Sequence, residues 1–141
     1  MTPQINTIWI EEMDTNGIWD KVPIDIPVEP KKSDIRCYIL ANHVLPPIHA
    51  GIQAGHSLAE MVHFGQHLSI VKKWVEEDKT LVLLSATVDQ MAEMKAFFEK
   101  TGRHFSSFKE PDLNNLETAV AFEPMDAVEG KIIFGKFKLF K

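Results

Sequence analysis

The 141-residue chain predicts an α/β sandwich built on a mixed sheet, preceded by a β-hairpin. Three observations lead there. From residue 35 onward, short apolar runs of strand length alternate with segments of helical period. Thr87-Val88-Asp89-Gln90 opens one of those helical segments with a capping-box pattern. Near the start, Asn16-Gly17, a pair that tolerates positive φ, sits between two β-rich runs.

The elements follow in order. Ile5–Glu11 and Ile18–Val22 are the strands of the hairpin, which spans residues 5–26. Pro23, Pro27 and Pro30, with Lys31-Lys32-Ser33, predict a stiff linker that cannot continue a sheet interior. The boundary then falls near residue 34, leaving 1–34 as hairpin and linker and 35–141 as the main domain. Ile35–Ala41 is an apolar strand closed by Asn42 and Pro46-Pro47. Ala50–Gln66 has helical spacing, with Ile52, Leu58, Ala59 and Val62 on one broad face. Gly51 and Gly55 cost that helix roughly 1 kcal/mol each in propensity, which predicts close approach to a sheet or another backbone.

Leu68–Glu77 reads as a second, shorter helix with Ile70, Val71 and Trp74 inward. Leu81–Leu84 is a buried strand. The helix capped by Thr87 carries a stripe of Val88, Met91, Met94, Phe97 and Phe98 and stops at Gly102. His104–Lys109 and Glu117–Phe122 are strands. Lys131–Phe140 alternates in apolar character and predicts a half-buried edge strand. The main domain thus runs β-α-α-β-α-β-β, with a last strand.

Composition excludes several classes. With 45% hydrophobic and 25% charged residues, the chain is globular rather than disordered. Cys37 is the single cysteine, so no internal disulfide framework exists and a cysteine-based metal site lacks partners. No apolar run approaches the roughly 18 residues of a membrane span. MTPQINTIWIEEMD lacks the basic and apolar regions of a signal peptide, so a cytoplasmic setting is expected. The net charge of −5 argues weakly against general nucleic-acid binding, but it is unevenly placed. The first 34 residues carry a net −4, whereas the last 13 hold four lysines and one glutamate. That tail can present a local phosphate-contacting patch; the plainer reading is a solvated edge strand.

Five of the six histidines lie between residues 43 and 67. His49, His56 and His63 recur every seven residues, about 10 Å apart along a helix, too far to share one metal ion. No metal site and no organic cofactor is expected. Gln53, His56, Ser57 and Glu60 form a tighter constellation, a polar stripe on the first helix, with Glu60 placed to hold His56 at i,i+4. Any amphipathic helix has such a stripe. Glu110–Thr118 is an acidic, turn-forming loop whose carboxylates can supply a general base, or whose Pro, Asp and Asn residues can simply make a hairpin. Ser57 beside His56 is a poor nucleophile–base pair, because adjacent helical residues diverge.

Two segments in order carry a resemblance. Ile35–Ala41, followed by Pro-Pro-Ile-His-Ala-Gly-Ile-Gln-Ala-Gly-His-Ser-Leu-Ala-Glu (46–60), resembles the strand, lysine-bearing turn and A-A-Q-x-x-H-A helix of the class II peptidyl-tRNA hydrolases. Phe105–Ala121 resembles that family's strand, acidic turn and threonine-led final strand. The likeness covers roughly residues 35–124 and leaves 1–34 without a counterpart. It implies a three-layer α/β/α domain on a four-stranded mixed sheet, commonly a homodimer, that cleaves the ester between a peptidyl or acyl group and tRNA. It implies catalytic roles for His49, Gln53, His56, Glu110 and Thr118. Glu110 stands at the family's aspartate and His49 at its key lysine, while glycine-arginine after the acid is replaced by Pro111-Asp112.

Substrate contacts are expected from Ser57, Asn114, Asn115, Lys131, Lys136 and Lys138. The missing lysine turn leaves two alternatives: an inactive binding module for protein or RNA on the same scaffold, or a hydrolase of small esters or amides. Trp9 and Trp19 on the hairpin would anchor a protein partner or a dimer, or would pack the hairpin onto the sheet.

Overall fold

The computed structural model describes residues 4–28 and 34–141. It holds two compact units, Met1–Lys32 and Ser33–Lys141. In the first, β1 (Gln4–Met13) and β2 (Trp19–Val28) pair antiparallel, with Trp9 opposite Pro23 and Met13 opposite Trp19. The turn is longer than an Asn-Gly pair alone would make. The Asp14 carboxylate accepts the amides of Asn16 and Ile18 at 2.8 and 2.9 Å, and only Gly17 takes a positive φ, 77°. Pro23 and Pro27 belong to β2 rather than to a linker. A two-stranded ribbon leaves alternate amides facing outward, and proline is tolerated there. Pro30 and Lys31-Lys32-Ser33 lie outside the described residues.

The second unit runs β3 (Ile35–Asn42), α1 (Pro47–Gly65), α2 (Ser69–Lys73), β4 (Thr80–Ala86), α3 (Val88–Lys100), β5 (Phe105–Glu110), β6 (Leu116–Phe122), β7 (Met125–Asp126), α4 (Ala127–Phe134) and β8 (Lys138–Leu139). The sheet order is β5-β6-β3-β4-β8, with β7 also on β3. β3 and β4 are parallel and every other pair is antiparallel. The sheet is therefore mixed, with four long strands as expected and two short ones added. Among the described residues no helix is long and apolar enough to cross a membrane.

β3 is covered on both faces, which is why it reads as an apolar run interrupted only by Arg36 near its start. Ile35, Cys37 and Ile39 meet Ala54 and Met61 of α1 together with Val71 and Trp74. Tyr38 and Leu40 meet Met91, Met94 and Phe98 of α3 and Phe134 of α4. The period of two assigns alternate residues to opposite layers, giving α1–α2 on one face and α3–α4 on the other. α2 passes into a single π-helical turn, Trp74–Asp78, closed where Lys79 takes a left-handed conformation and donates its amide to the Trp74 carbonyl at 2.8 Å.

Several expectations need correction. α1 begins three residues earlier than predicted, at Pro47, because proline fits the first helical position where no amide hydrogen is needed. Lys131–Phe140 is not one strand: its first four residues, Lys131–Phe134, are the end of α4. Asp126 accepts the Val128 amide at 2.9 Å and starts α4, and Phe134 then stacks on Tyr38 with ring centroids 4.6 Å apart. A Cβ on Gly130 would collide with that same tyrosine ring. Tertiary packing on the sheet overrides the alternating pattern, and only Lys138–Leu139 pairs as strand. Val88 and Phe97 leave the predicted stripe and are about half exposed. Gly51 and Gly55 do not serve close packing: an added Cβ meets nothing within 4 Å at either.

Candidate functional site

One edge of the sheet gathers the end of β3, the end of β4, the end of β5 and the start of β6. Antiparallel pairing of β5 with β6 sets Glu110 against Leu116, and a bulge between Phe108 and Lys109 precedes it. The turn between these strands is tight because Asn114 and Asn115 both adopt positive φ, 55° and 59°, a conformation asparagine tolerates better than most residues. The Asn115 amide donates to the Glu110 carbonyl at 3.0 Å.

Above this turn, α1 presents Gln53 and completes a chain of hydrogen bonds. The Thr118 hydroxyl donates to Gln53 Oε1 at 2.8 Å, and Gln53 Nε2 donates to Glu110 Oε2 at 3.0 Å. An ionised carboxylate can only accept, so it fixes which end of the Gln53 amide faces it, and the amide oxygen is left for Thr118. Thr118 is fully buried and Gln53 is 8% exposed, whereas Glu110 is half-buried and reaches solvent. The second carboxylate oxygen, Oε1, accepts the Asp112 amide at 3.3 Å as a short 3-10 turn begins at Pro111. The carboxylate is thereby held by two donors from different segments, with lone pairs left toward water.

His56 does not pair with Glu60. Its imidazole stacks on Phe108 of β5, with centroids 4.7 Å apart and planes at 20°. His49 lies exposed in the first turn of α1, one turn before Gln53. The structure thus brings Gln53, Glu110 and Thr118 into one network, sets His56 against the strand beside it, and leaves His49 at the rim. Asn114 and Asn115 are exposed at the turn itself. Ser57 is different: it is fully buried, and its hydroxyl donates to the Ala54 carbonyl of its own helix at 2.9 Å, so it offers nothing to a ligand. Lys131, Lys136 and Lys138 lie far across the sheet from Glu110, on α4, after it and on β8.

Phe108 is the residue that sequence reasoning missed. Its ring carries His56 and its carbonyl lies 3.3 Å from the Thr118 hydroxyl. An aromatic two residues before the acid on a predicted strand shares the acid's face, and that period was the available signal. On the opposite face, Glu117 takes the Lys95 ammonium at 2.6 Å and the Ser107 hydroxyl at 2.5 Å, which occupies that carboxylate structurally. Burial pushes the Cys37 thiol up to about 12, so it is no nucleophile. The chain matches no protein-family model and no curated protein.

Proposed function

We propose that the main domain is a hydrolase of the ester joining a peptidyl or acyl group to tRNA, with Glu110 as general base. The observation that supports this most is the Thr118–Gln53–Glu110 hydrogen-bond chain, which orients a partly exposed carboxylate from a buried anchor. In this reading Glu110 takes a proton from water as the oxygen attacks the ester carbonyl carbon. The tetrahedral intermediate then collapses, the carbon–oxygen bond to the ribose breaks, and the leaving oxygen receives the proton. Asn114 and Asn115 in the turn after Glu110, and His49 one turn before Gln53 on α1, are exposed polar side chains available to serve the developing oxyanion. Gln53 and Thr118 are positioning residues, and His56 braces the helix on Phe108.

A homodimer, a cytoplasmic place of work and a partner at the hairpin belong to the same proposal. Trp9 and Trp19 are 64% and 61% exposed and offer aromatic anchors for that partner.

A binding module is the second reading, favoured by one observation. Ile48 and Ile52, beside His49 on α1, are 74% and 52% exposed where a tRNA-contacting surface would carry cations. The test is hydrolysis of an N-blocked aminoacyl-tRNA by the wild type and by Glu110→Ala at two salt concentrations. Turnover that falls at least 100-fold in the variant supports the hydrolase. No wild-type turnover above the buffer blank overturns it in favour of the binding module.

A further inference from the structure

We propose that the cavity at the C-terminal ends of β3 and β4 is a phosphate-binding site. The chain leaves β3 into α1 on one face of the sheet and leaves β4 into α3 on the other. Neighbouring parallel strands whose helices diverge in this way open a crevice between their connections, the usual ligand position in open α/β sheets. A cavity of about 460 Å³ lies there. It is lined by His43 after β3, Ser85 and Gln90 around the end of β4, and Lys136, Lys138 and Lys141 of the C-terminal segment.

The lining explains the ligand class. No Asp or Glu contributes to it, in a chain whose net charge is −5. Lys136, Lys138 and Lys141 line this one opening, a local excess of positive charge that favours an anion. Among the described residues neither Lys138 nor Lys141 has an ion-pair partner. Lys136 pairs with Glu93 at 3.8 Å, with both side chains largely exposed, a contact of little energy, and its ammonium lies 5.3 Å from the Phe137 ring centroid. The segment is held in place by other means: Phe137 is buried, β8 pairs with β4, and the Phe140 amide donates to the Leu83 carbonyl at 3.0 Å. The lysines are thus carried on an anchored backbone. Separate point charges with hydroxyl and amide groups between them suit a multiply charged tetrahedral anion. A lone carboxylate is better served by the planar fork of arginine.

The cavity opens at the same end of the strands as Glu110, because β6 starts and β5 ends where β3 and β4 end. Three strand steps separate β5 from β4, roughly 14 Å at the usual strand spacing. That is too far for the acyl ester itself. Resting on the tRNA-ester reading, the phosphate held here is a phosphodiester further along the RNA chain. The phosphate chemistry of the cavity does not depend on that reading, and a free phosphate is the other source.

The test uses the full chain and needs no hydrolysis. Wild type and Lys136→Ala/Lys138→Ala are titrated with an unacylated single-stranded RNA and, separately, with inorganic phosphate. Backbone amide shifts at His43 and Ser85 and the salt dependence of RNA affinity are measured. The expected result is RNA-induced shifts at both residues. The slope of log affinity against log salt should fall by about 0.7 per lysine removed. Shifts with inorganic phosphate but not with RNA keep the phosphate site and assign it to a free phosphate. Overturning results are no shift with either probe, or RNA binding whose affinity and salt slope are unchanged in the double variant.

Discussion

Thr118 gives its hydroxyl hydrogen to Gln53 at 2.8 Å, although 65 positions separate them in the chain. The bond joins a buried strand to the helix above it, and everything at the exposed end of the site is referred to that anchor. Thr118→Val keeps the shape and removes the donor, leaving the Gln53 amide oxygen without its partner. An unsatisfied buried acceptor costs about 1–3 kcal/mol. The expected outcome is a lower Tm and a lower kcat on the ester substrate with KM little changed, and Thr118→Ser should restore both.

Three glycines should respond in opposite directions. Gly130→Ala drives a methyl group into the Tyr38 ring and should destabilise by about 1–3 kcal/mol. Gly51→Ala and Gly55→Ala add a methyl group to open space inside a helix and should each stabilise by up to about 1 kcal/mol. Denaturant midpoints of the three variants check the ordering. A loss of activity in the stabilised pair would mean that a ligand approaches the α1 backbone there.

Cys37 should be inert in the folded protein. Its thiol is buried and raised to about 12 from an ordinary 9.0, so a disulfide reagent at pH 8 should label it only as the protein unfolds. The sign of the pH effect follows. Below pH 9 the thiol is neutral in both states. Between pH 9 and 12 only the unfolded chain loses the proton, which favours unfolding by about 1.4 kcal/mol per pH unit. Stability of wild type should therefore fall more steeply than that of Cys37→Ala over this range.

Thr87 caps α3 reciprocally with Gln90. Its hydroxyl accepts the Gln90 amide at 3.1 Å, and its own amide donates to the Gln90 side chain at 2.9 Å. Thr87→Ala should cost about 1 kcal/mol, measured by chemical denaturation.

The parts of the fold legible in the sequence are those specified locally. The capping box starts α3 where Thr87 and Gln90 stand four positions inclusive, and the apolar β3 run needs only its own residues to be recognised. α4 was illegible for the opposite reason. Its start at Asp126 is capped locally, but its seat depends on Gly130 admitting Tyr38 from a strand some ninety residues earlier. The site divides along the same line. Gln53, Glu110 and Thr118 are singled out by the family resemblance of their segments, whereas the stacking of His56 on Phe108 depends on how α1 packs over β5. The lysines of the cavity share one basic tail that is legible locally, whereas their meeting with His43, Ser85 and Gln90 is not.

The position of β3 at the middle of the sheet has a consequence for synthesis. As the chain emerges, β3 can pair with β4 once residue 86 is free, but its other edge stays open until β6 is made. A nascent chain halted before residue 122 therefore exposes an unpaired strand edge, a surface prone to wrong pairing. The Thr118 anchor arrives with that same last strand. Protection of the growing edge and closure of the Thr118–Gln53–Glu110 network are one event, so a product of translation that stops before residue 118 has neither.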